Sequence, residues 1–149
     1  YMLQTDDNPL GPLTKDHAAT MTADLTADRE RFFDQFTKDF FSVNDALTVT
    51  EEQRQQALEM CLLSDQKAAL ACMNSFGTED FRDDLPNVTV PALVIHGDGD
   101  VIVPFPGSGL RTHEAIPHSH LMVIAGGPHG CNVSHPSEFN TALVEFLQS

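Results

Sequence analysis

An acidic and a basic side chain that could share a proton follow two apolar segments of the sequence. Asp100 comes after residues 92–95 in VPALVIHGDGD, and His129 comes after residues 121–125 in HLMVIAGGPHG. A carboxylate that accepts a hydrogen bond from histidine Nδ1 fixes the tautomer of the ring. It also stabilises the imidazolium that forms when the other nitrogen takes a proton from a hydroxyl. These residues are therefore candidates for two of the three members of a charge-relay triad.

Each of these residues also has a simpler structural interpretation. Asp98 and Asp100 are residue types that favour turns, and His129 could be a hydrogen-bonded loop histidine. The Gly-Gly-Pro before His129 lets the backbone turn sharply and would aim the ring into a cleft. The structural interpretation is favoured for each residue alone, whereas the pair on consecutive predicted strands favours a functional role.

The elements that must position this pair are predicted in the order strand, helix, strand, helix. The two apolar segments are the strands, a helix is expected around 109–115, and a last helix begins at Pro136, where a first turn tolerates proline. Wholly apolar strands that alternate with helices indicate a parallel sheet covered on both faces. Functional residues gather at the carboxyl ends of such strands. Two strands are fewer than the roughly five or six of a typical sheet, so the sheet is predicted to be incomplete.

The first half of the sequence is predicted to be helical, without a convincing strand. Apolar residues recur at three- and four-residue spacing over 14–41, until Asn44 and Asp45 interrupt them. Thr50 and Gln53 fit a capping box at the start of the next helix. A further helix is expected from Ser64, as its cap, to about Ser75. The cysteines of these helices, Cys61 and Cys72, are predicted to be small core residues.

Composition limits the partners and the compartment. Of the 149 residues, 8 are Lys or Arg and 22 are Asp or Glu, which gives a net charge of −14. This charge argues against nucleic acids and anionic membranes as partners. No apolar run approaches the roughly 20 residues of a membrane span. Three cysteines without a CxxC pair make a disulfide framework improbable, so a reducing cytoplasm is the expected location. Because the chain opens on Tyr1 and not on methionine, its true beginning is expected to have been removed.

Two metal-dependent chemistries fit the sequence less well. Asp98 and Asp100 could suggest a Mg²⁺ or phosphoryl site, but residues 101–103 supply no further oxygen ligand. The histidines could suggest a transition-metal site. Apart from the neighbouring His113 and Glu114, however, they lack the spacing that places ligands on one helix face. No metal site is predicted.

The ordered motifs closely resemble the C-terminal part of α/β-hydrolases of the non-haem chloroperoxidase and arylesterase group. VPALVIHGDGDVIVPF followed by LMVIAGGPHGCNVSHPSEFNTALVEFL carries most of the resemblance. YMLQTDDNP looks like the loop that leaves a central strand, and FFDQFTKDFF and FGTEDFRDDLPNVTVP are similar to the helical cap and the return to the core. The resemblance covers essentially the whole chain, and it implies a loop over 1–13, a helical cap over 14–85 and a core segment over 86–149.

The resemblance also implies an activity. Asp100 would be the triad acid, His129 the triad base and Asp98 a turn residue of a serine hydrolase that acts on small esters or carboxylic acids. Some members of the group also form peracids from hydrogen peroxide, without a metal or other cofactor. Positions that match the apolar pocket wall could equally be plain core; they are Phe36, Phe40, Phe76, Ile102 and Val103.

The sequence departs from the family because it contains no nucleophile elbow. The G-x-S-x-G pattern on a strand-to-helix turn is absent. The segment around Ser75 keeps only the serine and the last glycine, and Ser108 lies in a Gly-Ser-Gly of the wrong spacing. The expected oxyanion donors are also missing. Two hypotheses remain: a fragment, inactive alone, that needs the missing N-terminal half of the same protein, or a non-catalytic module that assembles through an open sheet edge, including as a homo-oligomer.

Overall fold

The computed structural model describes residues 2–149, and its elements follow the predicted order. The chain begins with a loop and continues through four helices and a short hairpin to a two-stranded parallel sheet with its own helices. The helices are α1 (Lys15–Ala27), α2 (Arg29–Phe41), α3 (Glu51–Leu63), α4 (Gln66–Thr78), α5 (Gly109–Ala115), α6 (Cys131–Ser134) and α7 (Pro136–Gln148). The strands are β1 (Ser42–Val43), β2 (Ala46–Leu47), β3 (Ala92–Gly97) and β4 (Ser119–Ile124), and 3₁₀ turns cover Leu85–Asn87 and Phe105–Gly107.

The loop before α1 is closed on itself and tied to the second half of the chain. Gln4 N–H donates to Leu13 O over 2.7 Å, and buried Asn8 donates from Nδ2 to Leu3 O over 2.7 Å. Arg111 of α5 donates to Asn8 Oδ1 over 2.7 Å. This segment therefore packs as part of the fold although it carries no regular element beyond single bridges.

The helical periodicity over 14–41 belongs to two helices, which meet at Asp28. Asp28 has an extended backbone at φ −151° and ψ 90°, and its side chain accepts from Arg31 N–H. Its own N–H still donates to Asp24 O of α1. Aspartate is a favoured N-cap, because its carboxylate satisfies free N–H groups of the first turn. The chain can therefore bend here without losing apolar periodicity.

A two-residue hairpin follows α2, where the sequence predicted no strand. Ser42–Val43 pairs antiparallel with Ala46–Leu47 across a turn made by Asn44 and Asp45. These two residues have φ values of 50° and 62°. Asn and Asp tolerate the left-handed region better than other side chains, and a turn with two positive φ values matches the twist of a hairpin. The pair that interrupts the helix therefore reverses the chain.

The capping box of α3 is confirmed, but the start of α4 is shifted by one residue. Thr50 accepts from Gln53 N–H while the Gln53 side chain accepts from Thr50 N–H. At the other junction Ser64 ends α3, and Asp65 caps α4 by accepting from Ala68 N–H over 2.9 Å. Cys72 on α4 is exposed, so its assignment to the core was wrong; Cys61 is half-buried.

An ion-pair network joins α2 to α3. Arg54 is only 3% exposed and donates to Asp34 Oδ1 over 2.9 Å and to Thr37 Oγ1 over 3.0 Å. It also donates to both carboxylate oxygens of Glu51. Buried arginine is stable only when its donors are satisfied, and here the partners lie on both helices. The network fixes α2 against α3.

The parallel sheet confirms the predicted strands and their covering helices. β3 and β4 pair in parallel from Ala92 with Ser119 to Gly97 with Ile124. Side chains alternate between the two faces of a strand. On one face His96 packs against Gly109 of α5, and on the other His120 contacts Phe146 of α7 with ring centroids 5.8 Å apart. Both strands therefore end side by side, and their loops meet. No helix within residues 2–149 is long and apolar enough to cross a bilayer.

Candidate active site

The loops that follow β3 and β4 are bonded to each other by their backbones. Asp98 N–H donates to Ile124 O over 3.2 Å, and Gly99 N–H donates to Gly127 O over 3.0 Å. A Cβ on Gly97 would lie 2.8 Å from Pro128 O, so only glycine permits this close approach. The two glycine-rich turns are thus one unit that holds its acidic and basic residues in fixed positions.

Asp98 is a turn residue, as the resemblance implied. It is exposed, and its Oδ1 accepts from Gly126 N–H over 2.6 Å. This bond links the turn after β3 to the glycine turn after β4. The carboxylate of Asp98 is therefore occupied in holding the loops together.

Asp100 and His129 are brought into direct contact. His129 Nδ1 lies 2.7 Å from Asp100 Oδ2. Asp100 is 7% exposed, whereas the His129 side chain is 32% exposed. Within residues 2–149, His129 Nε2 has no hydrogen-bond partner. An ionised acid that orients the ring, with the second nitrogen turned outward, is the arrangement that a general base requires.

The second oxygen of Asp100 is held by backbone N–H groups of its own loop. Ile102 N–H donates to Oδ1 over 2.9 Å, and Val103 N–H donates to the same atom over 2.8 Å. Ile102 and Val103 were predicted as pocket wall; their side chains are half-buried, and the backbone role was not foreseen. A substrate contact of either side chain stays a prediction.

Hydrogen bonding keeps Asp100 ionised despite its burial. Burial alone would raise the pKa of this carboxyl, but hydrogen bonds from His129, His96 and Val103 outweigh burial and hold the pKa well below its ordinary value. The acid is therefore charged throughout the neutral range, and it can stabilise a positive His129.

His96 is the residue of the site that sequence reasoning missed. Its Nε2 lies 3.2 Å from Asp100 Oδ2 and 2.8 Å from Val103 O. The signal in the sequence was a histidine at the end of an otherwise apolar strand, four positions before the acid. Because apolar runs were used only to locate strands, this polar residue went unexamined.

The three phenylalanines predicted to line the pocket do not lie together. Phe40 lies edge-on to His129 with ring centroids 4.7 Å apart, and Phe36 contacts Phe40 at 5.6 Å. Phe76 is instead 53% exposed and lines a separate open cavity of about 800 Å³ with Ser75 and Ser108. The structure therefore places Phe40 against His129 and Phe36 against Phe40, and among the described residues it gives no ring contact between Phe76 and either phenylalanine.

The arrangement is compatible with proton transfer and offers no metal cage. Within residues 2–149, no group of three or more His, Cys, Asp and Glu side chains could hold a metal ion. Ser108 Oγ donates to Pro104 O over 2.7 Å. Within the described residues, neither Ser108 nor Ser75 forms a hydrogen bond with His129.

Comparison with known proteins places this arrangement in a family, although no family model matches the sequence. A Synechocystis sp. protein that bears the name of a non-haem chloroperoxidase is 38% identical over 99% of this chain and 54% of its own length. A bifunctional esterase/perhydrolase of Acinetobacter calcoaceticus is 28% identical over 99% of this chain and 54% of its own length. The chain thus spans about half the length of these relatives.

Solved structures agree with the sequence relatives. A bromoperoxidase from Bacillus anthracis has a TM-score of 0.97 and 41% identity, covering 100% of this chain and 54% of its own. An esterase from Exiguobacterium antarcticum has a TM-score of 0.88 and 28% identity, covering 99% of this chain and 53% of its own. The chain belongs to the α/β-hydrolases related to the non-haem chloroperoxidases and has the fold of the C-terminal part of such a protein.

Proposed function

We propose that this chain supplies the acid and the base of a serine esterase, and that another polypeptide segment supplies the nucleophile and the oxyanion donors. The observation that carries the proposal is the 2.7 Å contact between His129 Nδ1 and Asp100 Oδ2, with His129 Nε2 left open. Relatives named as esterases support the reaction class. The sequence itself contains no G-x-S-x-G pattern.

In the proposed reaction, His129 moves protons and Asp100 remains ionised. His129 Nε2 takes the proton of the serine hydroxyl as its oxygen attacks the ester carbonyl carbon. The imidazolium then gives that proton to the departing alkoxide, which leaves as an alcohol. Water repeats the two steps on the acyl-enzyme and releases the carboxylic acid. Asp100 stabilises the imidazolium in both halves of the cycle.

A perhydrolase reaction uses the same groups. Hydrogen peroxide would replace water in the second half, with His129 taking its proton, and the acyl group would leave as a peracid. The Acinetobacter relative is named for both activities, which supports this second product. Phe40 beside His129, with Phe36 packed against Phe40, favours an apolar acyl group, and Ile102 and Val103 are further candidates for its pocket.

Complementation tests the proposal. We expect the chain alone to show no burst with an activated aryl ester and no labelling by a fluorophosphonate probe. Coexpression with the elbow-bearing N-terminal half of a related hydrolase should restore ester hydrolysis. Activity should not be restored with His129→Ala, which removes the proposed base. It should also not be restored with Asp100→Asn, which removes the negative charge that stabilises the imidazolium of His129. Asp84→Asn is the control, since Asp84 is exposed and forms no hydrogen bond with Asp100 or His129 among the described residues. Labelling of the chain alone would contradict the proposal.

A non-catalytic assembly role is the second candidate. Within the described residues β3 pairs only with β4, so its outer edge presents free N–H and C=O groups. Apolar side chains of α7 are also exposed, with Leu143 at 37%, Val144 at 49% and Leu147 at 72%. Both features favour association with a further protein segment or a second copy.

A further inference from the structure

We infer that His96 is a positioning residue that holds the Asp100 carboxylate in the orientation that His129 requires. This inference deepens the proposed function, because it concerns the acid of the same site. His96 lies near the end of β3, whereas His129 lies in the loop that follows β4.

The hydrogen-bond partners of His96 fix its tautomer. Nε2 lies 2.8 Å from Val103 O, and a carbonyl oxygen can only accept. The hydrogen of the ring is therefore on Nε2, and the same N–H also faces Asp100 Oδ2 at 3.2 Å. One donor thus bridges the carboxylate of residue 100 and the backbone of residue 103.

This bridge completes the hydrogen bonding of both carboxylate oxygens. Val103 donates its N–H to Oδ1 over 2.8 Å while its carbonyl accepts from His96. Oδ2 accepts from His129 and faces His96. If His96 is lost, Val103 O keeps only the 3.3 Å hydrogen bond from Ser108 Oγ, and Asp100 Oδ2 keeps only His129. The carboxylate can then rotate away from His129.

The packing around His96 leaves its ring one position. The side chain is 12% exposed, and Phe105 lies against the ring with centroids 5.4 Å apart. Gly109 is also close to the ring, because a Cβ added to it would lie 3.0 Å from His96 Cγ and closer still to Nδ1. The ring of His96 therefore needs a residue without a side chain at position 109. The hydrogen bond that His96 donates to Asp100 raises the pKa of His96 against the effect of burial, which agrees with a close pairing.

The test follows the Nδ1–H proton of His129 by NMR in the 149-residue chain at neutral pH. A strong hydrogen bond to a carboxylate moves such a proton far downfield and slows its exchange. The signal is assigned by its disappearance in His129→Ala. His96→Leu should lose or broaden it, because Asp100 is no longer held. His96→Gln should keep it, because the amide N–H can replace Nε2–H.

Two further variants separate positioning from general destabilisation. Gly109→Ala keeps His96 but displaces its ring, and it should weaken the His129 signal as His96→Leu does. His118→Leu is the matched control, since His118 is exposed and binds a backbone carbonyl, Val90 O, at 2.9 Å without contacting Asp100. The signal should be unchanged in that variant.

The outcomes decide the inference independently of esterase activity. A wild-type chain without the downfield signal, or a signal that persists in His96→Leu and Gly109→Ala, would overturn it. Loss of the signal in His96→Gln as well would also overturn it, because the donor alone should suffice. Failure of the complementation assay alone would instead count against the proposed function. The signal requires no nucleophile, so it can be read in the unassembled chain.

Discussion

The ring of His129 packs against Phe40, and the backbone of the next residue also bonds to Phe40. The His129 ring lies edge-on to Phe40 at 4.7 Å, and Gly130 N–H, next along the chain, donates to Phe40 O over 2.9 Å. The C-terminal turn of α2 therefore sets the position of the base, although it is nearly 90 residues away in sequence. The helical first half of the chain therefore belongs to the proposed catalytic geometry as well as to the candidate substrate wall.

Gly130→Ala is expected to displace the base. A Cβ at this position would lie 2.5 Å from Phe41 Cδ1 and 2.8 Å from Phe40 Cε1, where both rings are already packed. Overpacking of this kind costs about 1–3 kcal/mol, so we expect a lower melting temperature and a weakened His129 Nδ1–H signal. Gly77→Ala is the control, because its Cβ would meet only Leu13 at 3.4 Å. Equal behaviour of the two variants would refute the close packing.

In Asp100→Asn, the free energy of unfolding is expected to fall less steeply as the pH is lowered than in the wild type. The pKa of Asp100 is lowered in the folded state by its histidine and backbone partners, against burial, whereas an unfolded aspartate titrates near about 3.9. The unfolded state then binds more protons in acid, so the stabilisation is present at neutral pH and lost as pH falls through the folded pKa.

Urea unfolding between about pH 3 and pH 5 measures this effect. The free energy of unfolding should fall less with acidification in Asp100→Asn than in the wild type, although the variant is less stable at pH 7. Asp84→Asn, on an exposed residue, should keep the wild-type slope. An unchanged slope in Asp100→Asn would show that the carboxylate is not stabilised in the fold.

Arg54→Ala is expected to loosen the α2–α3 pair. Arg54 is 3% exposed and bonded to Asp34, Glu51 and Thr37, so truncation removes packing and leaves the Thr37 hydroxyl with fewer partners. We expect a loss of about 2 kcal/mol in urea unfolding. Lys38→Ala is the control, since its pair with Asp34 is solvent-exposed and should change stability little. A loss no greater than that of Lys38→Ala would contradict the structural role of Arg54.

The sequence allowed the sheet region to be predicted closely because its signals are local. Apolar runs, a proline at the first turn of α7 and glycines at the strand ends each act within a few residues, and they indicated the strands and helices correctly. The acid and base could be paired because parallel strands end at one edge. The break at Asp28 was missed because a capping aspartate preserves helical periodicity on both sides.

The remaining features of the site depend on contacts between distant residues. His96 became part of the site through Val103 and Gly109, and neither contact has a sequence signature. Phe76 is the same residue type as Phe36 and Phe40, yet it lies on α4 and lines another cavity. Which phenylalanine approaches His129 is decided by how the helices pack.

Lysine substitutions on α7 test whether the chain associates through its exposed apolar face. Leu147 is 72% exposed and lies one turn from Leu143 and Val144. A surface of this kind, beside an unpaired strand edge, favours association, so we expect the mass in light scattering to rise with concentration. Leu147→Lys should lower that mass, because a buried charge is costly at an interface. Thr141→Lys adds the same charge on a polar side of the helix and should not. A monodisperse monomer at high concentration would exclude self-assembly and leave a complementary hydrolase segment as the remaining partner for this face.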